Sequence, residues 1–234
     1  MTLALQIPHY QRLPKTLVRT LRQHPKTHID RQIIARFGFY DFQTIVTFGT
    51  HKTKRNMEIK SCLMTDANEI LLLYEAARDL QIQRKMVVWP PFKKSFIERE
   101  IKEKRQWKIV SDNVIACDWA ITFDDKEIWG ERDKDDAIYI HRICNNPTLR
   151  GNRFIDTIVE WSKQYARQIG KQFLRLDTLG NNTKLIGHYT SAGFKFLGMF
   201  KLTDTVNLPA HYQNEPNCCL FEIDLKLADG KSSS

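Results

Sequence analysis

The residues of this chain best suited to chemistry lie between Ile138 and Ile155, in Ile-Tyr-Ile-His-Arg-Ile-Cys-Asn-Asn-Pro-Thr-Leu-Arg-Gly-Asn-Arg-Phe-Ile. A strand-like run enters a turn at Pro147, passes through Arg150, Gly151, Asn152 and Arg153, and continues directly into a helical pattern. Backbone N–H groups at a helix start have no intrahelical partner and sit at the positive end of the helix dipole, so such a turn can hold phosphate. Arginine suits this role better than lysine because its guanidinium engages two phosphate oxygens at once. Alone, the junction fits equally an ordinary loop with solvated arginines. His141, on the strand that feeds the turn, has a side chain that titrates near neutrality and could act as a base, or could be a packed or surface histidine. Two aromatic loops could line a pocket, or be rigid packed connections: Val88-Trp89-Pro90-Pro91-Phe92 and Leu208-Pro209-Ala210-His211-Tyr212. The adjacent Cys218 and Cys219 invite a metal or redox reading, but no histidine or second cysteine pair stands at ligand spacing.

These residues need a scaffold, and the hydrophobic pattern supplies one. Met57 to Leu63 alternates as a strand and is followed by a helix start of N-cap type at Thr65-Asp-Ala-Asn-Glu. Ile70, Leu71, Tyr74, Ala77 and Leu80 then recur at helical spacing, and a second helix runs from about Ser95 to Glu103. Trp107–Val110 and Val114–Phe123 make a hairpin across Ser111-Asp112-Asn113, and the acidic stretch from Asp124 to Asp136 reads as turn and loop. A strand at Ala137–Cys144, a helix at about Gly151–Ile169 and a strand at Phe173–Leu179 follow. A helix at about Thr183–Ala192 and closing strands at Lys195–Phe200 and Cys219–Leu227 complete the pattern. Strand-helix-strand units generally make parallel pairs and hairpins antiparallel ones, so the expected class is α+β: a mixed, mostly antiparallel sheet with one parallel pair, flanked by helices. Phe154, Ile155, Ile158, Val159, Tyr165, Ala166 and Ile169 should form the buried stripe of the central helix.

Charge is unevenly distributed along the 234 residues. Residues 1–56 carry ten Lys/Arg against Asp30 and Asp41, a net +8, whereas the remainder carries 26 against 25. The basic character therefore belongs to the extension, while residues 57–228 form a nearly neutral body and 229–234 a flexible tail. The extension is expected to be poorly ordered. It could stem from an upstream start codon, or be a flexible arm, a nucleic-acid-binding arm or an organelle presequence. The opening residues lack a charged n-region and a cleavage pattern, and no run approaches membrane-spanning length. Five cysteines, without CxxC spacing and mostly within apolar runs, read as reduced core residues of a cytoplasmic protein.

About thirty residues beyond the arginine turn stands Leu174-Arg-Leu-Asp-Thr-Leu-Gly-Asn-Asn-Thr-Lys-Leu-Ile-Gly-His-Tyr-Thr-Ser-Ala-Gly-Phe-Lys-Phe-Leu-Gly. A strand, Asp-Thr, Asn182, seven residues to Tyr189, then Ala-Gly-Phe and a closing strand resembles the signature of the GNAT superfamily, the acyl-CoA N-acyltransferases. The resemblance covers about Ile138 to Gly198, extends more loosely back to Met57, and is greatest to bacterial members. It implies the acyl-CoA N-acyltransferase fold and transfer of the acetyl group of acetyl-CoA to an amine, with no metal. It further implies that backbone groups around Ile143 and Asn145 pair with pantetheine. Arg150, Gly151, Asn152, Arg153, Phe154 and Ile155 would hold the pyrophosphate, Asn182 the cofactor arm, and Tyr189 would protonate the departing thiolate. The family pattern Arg/Gln-x-x-Gly-x-Gly/Ala is met only at Arg150, since Arg153 stands where glycine is expected and Ile155 where glycine or alanine is expected.

An ammonium cannot attack a thioester until it loses a proton, so the reaction needs a base. His141 is the candidate, because alternation along its strand puts it on the same face as Ile143. Trp89, Phe92, His211 and Tyr212 are the candidate acceptor-binding residues; nothing in them separates a small amine from a protein amine, and a homodimer is left open. Two other readings remain: a CoA-binding regulatory module that has lost catalysis, and a nucleic-acid binder acting through the basic arm, although that arm lacks aromatic interleaving. No membrane partner is expected.

Overall fold

A computed structural model describes residues 57–149 and 152–229, which belong to a unit running from Arg55 to Ser234. The extension of residues 1–56, Arg150, Gly151 and residues 230–234 lie outside the described residues. The strands are β1 (Met57–Ser61), β2 (Gln106–Ser111), β3 (Val114–Thr122), β4 (Ala137–Asn145), β5 (Phe173–Leu179), β6 (Lys195–Lys201) and β7 (Asn217–Asp224). They form one seven-stranded sheet in the order β1-β2-β3-β4-β5-β7-β6. Among these strands only β4 and β5, joined by the helix over Phe154–Gln168, pair in parallel; every other neighbour is antiparallel. This is the α+β arrangement expected from the order of elements. The helices are α1 (Ala67–Gln83), α2 (Lys94–Lys102), α3 (Lys126–Trp129), α4 (Phe154–Gln168), α5 (Thr183–Ser191), α6 (Ala210–Asn214) and α7 (Leu225–Asp229). Among the described residues no helix is long and apolar enough to cross a membrane.

Period-two alternation sorts the sheet into two faces. On one, α4 packs Phe154, Ile155, Ile158, Val159 and Ala166 into a cluster with Trp119, Ile121, Ile138, Ile140, Leu174 and Phe221. Each fully buried aliphatic side chain of this stripe contributes about 1.5–3 kcal/mol relative to exposure. Ile169, expected on the same stripe, instead caps the helix and is 40% exposed. The other face carries α1 and α2 around Ile70, Tyr74, Ile97 and Cys144, and α3 beside Trp129, Tyr139 and Leu220. The hairpin β2–β3 turns at Asp112 and Asn113, with φ of 52° and 63°. Positive φ at both central residues matches the twist of the flanking strands, and Asp and Asn tolerate it better than other non-glycine residues.

Three expected irregular or extended segments are helical instead. The acidic stretch after β3 folds into α3 and a 3-10 turn at Gly130–Lys134, because Ile128 and Trp129 are buried against β4 and β7. The 208–212 loop contains α6, and the last strand stops at Asp224, where α7 begins. Thr65 does not act as an N-cap: a 3-10 turn at Met64–Asp66 leads into α1, and the Asp66 carboxylate accepts from Leu63 N at 2.6 Å and pairs with Lys108 at 2.5 Å. All five cysteines are free and buried.

β4 contains the irregularity that matters most. Asp118 faces Cys144 across the strand pair, yet Ala120 faces His141, so two steps along β3 correspond to three along β4. The extra residue is a β-bulge, and Arg142 within it adopts φ of +49°. The Arg142 guanidinium anchors the bulge by donating to Glu100 Oε1 and Oε2 at 2.6 and 2.7 Å, beneath the rings of Phe92 and Phe96.

Candidate functional site

The parallel pair does not run the length of its strands. Ala137 faces Phe173, Ile138 faces Leu174 and Tyr139 faces Arg175, and beyond these the strands part. A cleft of about 620 Å³ opens in the gap, with Ile140 to Ile143 on one wall and Leu176 to Asn182 on the other. From Ile140 onward the edge of β4 that faces β5 has no partner strand, so its N–H and C=O groups are available to an extended, amide-bearing ligand.

The bulge decides what each wall presents. Ile143 packs with the α4-side cluster, as Ile138 and Ile140 do. His141 keeps the phase of Ala137 and Tyr139 and lies on the opposite face, across from Ala120. The expectation that His141 and Ile143 share a face is therefore overturned, because one inserted residue shifts the alternation between them. His141 Nε2 instead meets Thr122 Oγ1 at 2.9 Å. One ligand atom each from His141, Asp125 and Asp177 lies within 4.8 Å of the other two. Asp177 reaches this face from β5, where Leu174 and Leu176 point into the α4-side core.

Burial dominates the electrostatics of this cluster. It holds the His141 ring neutral, with a pKa lowered to about 3, helped by the Arg142 and Arg105 charges. Asp125 is raised to about 9 by burial and then by the neighbouring charge of Asp177. Burial likewise raises Asp177, opposed by the Tyr212 hydroxyl, which donates to Oδ2 at 3.0 Å, and by the Cys218 thiol at 3.5 Å. Two carboxyls this close and this buried oppose each other's ionisation.

On the α4-side face, α5 brings Tyr189 to the same cleft, packed against Phe194 and Phe221. Burial, followed by the Asp177 and Cys117 charges, raises its hydroxyl well above the usual tyrosine range, which keeps it protonated. Asn182 also lines the cleft, and its side chain caps α5 by accepting from Leu185 N at 3.1 Å.

The helix α4 starts later than its sequence suggests. The helix begins at Phe154 rather than Gly151, and no side chain caps it, so the amides of its first turn are unsatisfied by side chains. Arg150 and Gly151 lie outside the described residues. Asn152 is exposed, and the buried side chains of Phe154 and Ile155 point into the core, leaving only their backbone to face a ligand. The bulky residue at 155 therefore does not obstruct the turn. Arg153 is exposed but engaged: Nε and Nη2 donate to Asp156 at 2.7 and 2.9 Å, and Nη2 also reaches Ser191 Oγ at 3.2 Å. Asn145 ends β4, exposed and opposite Cys117.

Both aromatic loops border the cleft and are packed as well. Trp89 packs edge-to-face on Tyr74 and Phe92, and its backbone is tied to Gln81 and Arg78. His211 and Tyr212 come from α6, their rings 4.5 Å apart. Burial lowers His211 to about 4, and its Nδ1 is buried without a hydrogen-bond partner.

No family model matches the chain. The uncharacterized N-acetyltransferase YesJ of Bacillus subtilis is 24% identical over 74 residues, which is 32% of this chain and 41% of that protein. The match thus spans about two fifths of the relative's length. A GNAT-family acetyltransferase of Listeria monocytogenes superposes with a TM-score of 0.59 at 18% identity, over 72% of this chain and 94% of that one. YncA of Salmonella typhimurium, solved with its cofactor acetyl-CoA, superposes with a TM-score of 0.54 at 11% identity, over 72% and 94% of the two chains. The chain has the GNAT acetyltransferase fold.

Within this GNAT fold, reading the sequence missed Asp125 and Asp177 as site residues. Asp177 was visible in the Asp-Thr step that carried the resemblance, and its phase opposite Leu174 and Leu176 placed it off the main core. Asp125 carried no signal, since Asp124-Asp-Lys-Glu reads as a solvated turn until α3 folds it back under β4.

Proposed function

We propose that the protein is an acetyl-CoA-dependent N-acetyltransferase that acts on a primary amine by direct attack, with Tyr189 as general acid. The carrying observation is the parting of β4 and β5 after three residue pairs, with Tyr189 facing the resulting cleft. The unpaired β4 edge around Ile143 and Asn145 suits the amides of pantetheine, and the uncapped amides of Asn152 to Ile155 suit the pyrophosphate. Arg150 and Gly151 belong to the same proposed turn. The side-chain amide of Asn182 has an N–H₂ left over from its capping bond for the cofactor arm.

Acetyl-CoA, when bound, supplies the thioester carbonyl and a thiol leaving group. A backbone N–H near Ile143 stabilises the carbonyl oxygen as charge develops, a contribution of about 3–4 kcal/mol for one preorganised donor. The Tyr189 hydroxyl gives its proton to the sulfur. Asp177, on the opposite face of the gap, takes the proton of the incoming ammonium, with the neutral His141 ring beside it as a hydrogen-bond acceptor, so the acid and the base sit on different walls. The net change is loss of the thioester, formation of an amide and a free thiol, and release of one proton. Trp89, Phe92, His211 and Tyr212 line the acceptor side. Residues 57–228 constitute the catalytic body, and its buried free thiols suit a reducing, cytoplasmic setting.

The test is calorimetric titration of acetyl-CoA into the full chain, followed by a screen of amines for CoA release. Binding with turnover that falls in Tyr189→Phe supports the reading. Binding without turnover on any amine selects the regulatory CoA-binding alternative, which the engagement of Arg153 by Asp156 favours. Absence of binding removes both.

A further inference from the structure

We infer that Asp125, His141 and Asp177 form the seat of the acceptor's ammonium, and that the acceptor is an alkyl amine with no carboxylate next to the nitrogen. The inference rests on the amine-acetylating reading and specifies its substrate class. Its first support is distance. The three ligand atoms lie within 4.8 Å of one another, yet their own hydrogen bonds go elsewhere, to Thr122, Tyr212 and Cys218. An ammonium nitrogen donating three bonds of about 2.8 Å at tetrahedral angles holds its acceptors about 4.6 Å apart. A divalent metal with bonds of about 2.0–2.2 Å would draw the same atoms to about 3.3–3.6 Å. Separations of up to 4.8 Å accommodate the ammonium.

The second support is an unmet bond. Asp125 Oδ2 is buried and has no hydrogen-bond partner. A buried carboxyl oxygen left in that state costs free energy that a donor on a ligand would recover. With the proton of His141 on Nε2 and donated to Thr122, Nδ1 offers a lone pair as the third acceptor. Two of the three residues, His141 and Asp177, line the cleft, and Asp125 lies behind them.

Charge and shape set the substrate class. The carboxyl oxygens of Asp125 and Asp177 match an ammonium and repel a carboxylate attached one carbon away. Arg142, whose charge bears most on His141, is paired with Glu100. The aromatic side chains of Trp89, Phe92 and Tyr212 border the same cleft and suit a hydrocarbon chain.

The experiment uses the full chain without acetyl-CoA and follows n-butylammonium chloride by saturation-transfer NMR, with glycine and zinc chloride as the contrasting probes. Saturable binding of n-butylammonium, no binding of glycine, and at least about tenfold weaker n-butylammonium binding in Asp177→Asn and Asp125→Asn are expected. Equal binding of glycine, stoichiometric binding of zinc that excludes n-butylammonium, or variants that bind as tightly as the parent would overturn the inference. Should either variant fail to fold, the parent's discrimination among the three probes decides. Acetyl-CoA titration of the same samples separates the two levels. Cofactor binding without amine binding refutes the ammonium seat alone, and absence of cofactor binding refutes the acetyltransferase reading beneath it.

Discussion

Replacing Glu100 by glutamine should destabilise the protein by about 3–5 kcal/mol, the range for breaking a buried charge pair from one side. Glu100 is 2% exposed and accepts from Arg105 Nη1 at 2.8 Å, from Gln106 Nε2 at 2.8 Å and from Arg142 Nη2 at 2.6 Å. Arg105 keeps a second carboxylate in Glu103, whereas Arg142 has only Asp118 nearby, whose carboxyl burial holds protonated. In Glu100→Gln the Arg142 guanidinium is thus left charged, buried and unpaired at a residue already in a positive-φ conformation. Arg142→Gln removes the charge together with its partner's need for it, so the double variant should lose at least about 1.5 kcal/mol less than the sum of the singles. Equilibrium urea unfolding at pH 7 reads these differences, with a midpoint shift on the order of 2 M for the single Glu100 variant. Additivity within about 0.5 kcal/mol would refute the claim that this pair anchors the bulge.

Three further outcomes follow from the site. Tyr189→Phe should lower turnover by about a hundredfold while leaving acetyl-CoA affinity within about twofold, since it removes one proton donor and no packing; equal turnover would remove Tyr189 from the mechanism. Asp156→Asn releases Arg153 from its bidentate partner and removes a carboxylate from the first turn of α4, so acetyl-CoA should bind a few-fold tighter, less so at high salt, by calorimetry. Asp125 has a folded pKa near 9 against an ordinary value near 4, so folding takes up a proton between those limits and stability falls as pH rises through that window. Asp125→Asn lacks this penalty; its melting temperature relative to the parent should climb from pH 5 to pH 9, and a constant difference would show that Asp125 ionises freely in the folded protein.

The sequence carried the fold further than it carried the site. Strands such as β5 and helices such as α5 declared themselves through alternation, helical spacing and the Asn182 cap, because burial on one face forces those periods. The one parallel pair followed from the strand-helix-strand order. Elements too short to show a period were lost: α3 holds only four residues, and what makes it a helix is the burial of Ile128 and Trp129 against strands that come later in the chain. Local composition there says loop, and tertiary packing overrides it. The same limit hid Asp125, which is delivered to the site by α3.

The bulge explains why the alternation along β4 did not give the faces of His141 and Ile143. Period-two reasoning carries a face along a strand only while every residue pairs, and in β4 one residue does not. That single insertion brings Ile143 round to the α4-side core, while His141 keeps the phase of Ala137 and Tyr139 and faces Asp125 and Asp177. Were β4 regular, Ile143 would lie on the His141 face, and the α4-side wall of the cleft would lose it. The cleft thus has two chemically distinct walls, with buried Tyr189 on one side and a carboxyl-imidazole cluster on the other. Direct transfer of an acetyl group to an amine requires that separation, because the group that protonates the leaving sulfur must not be drained of its proton by the group that deprotonates the nucleophile.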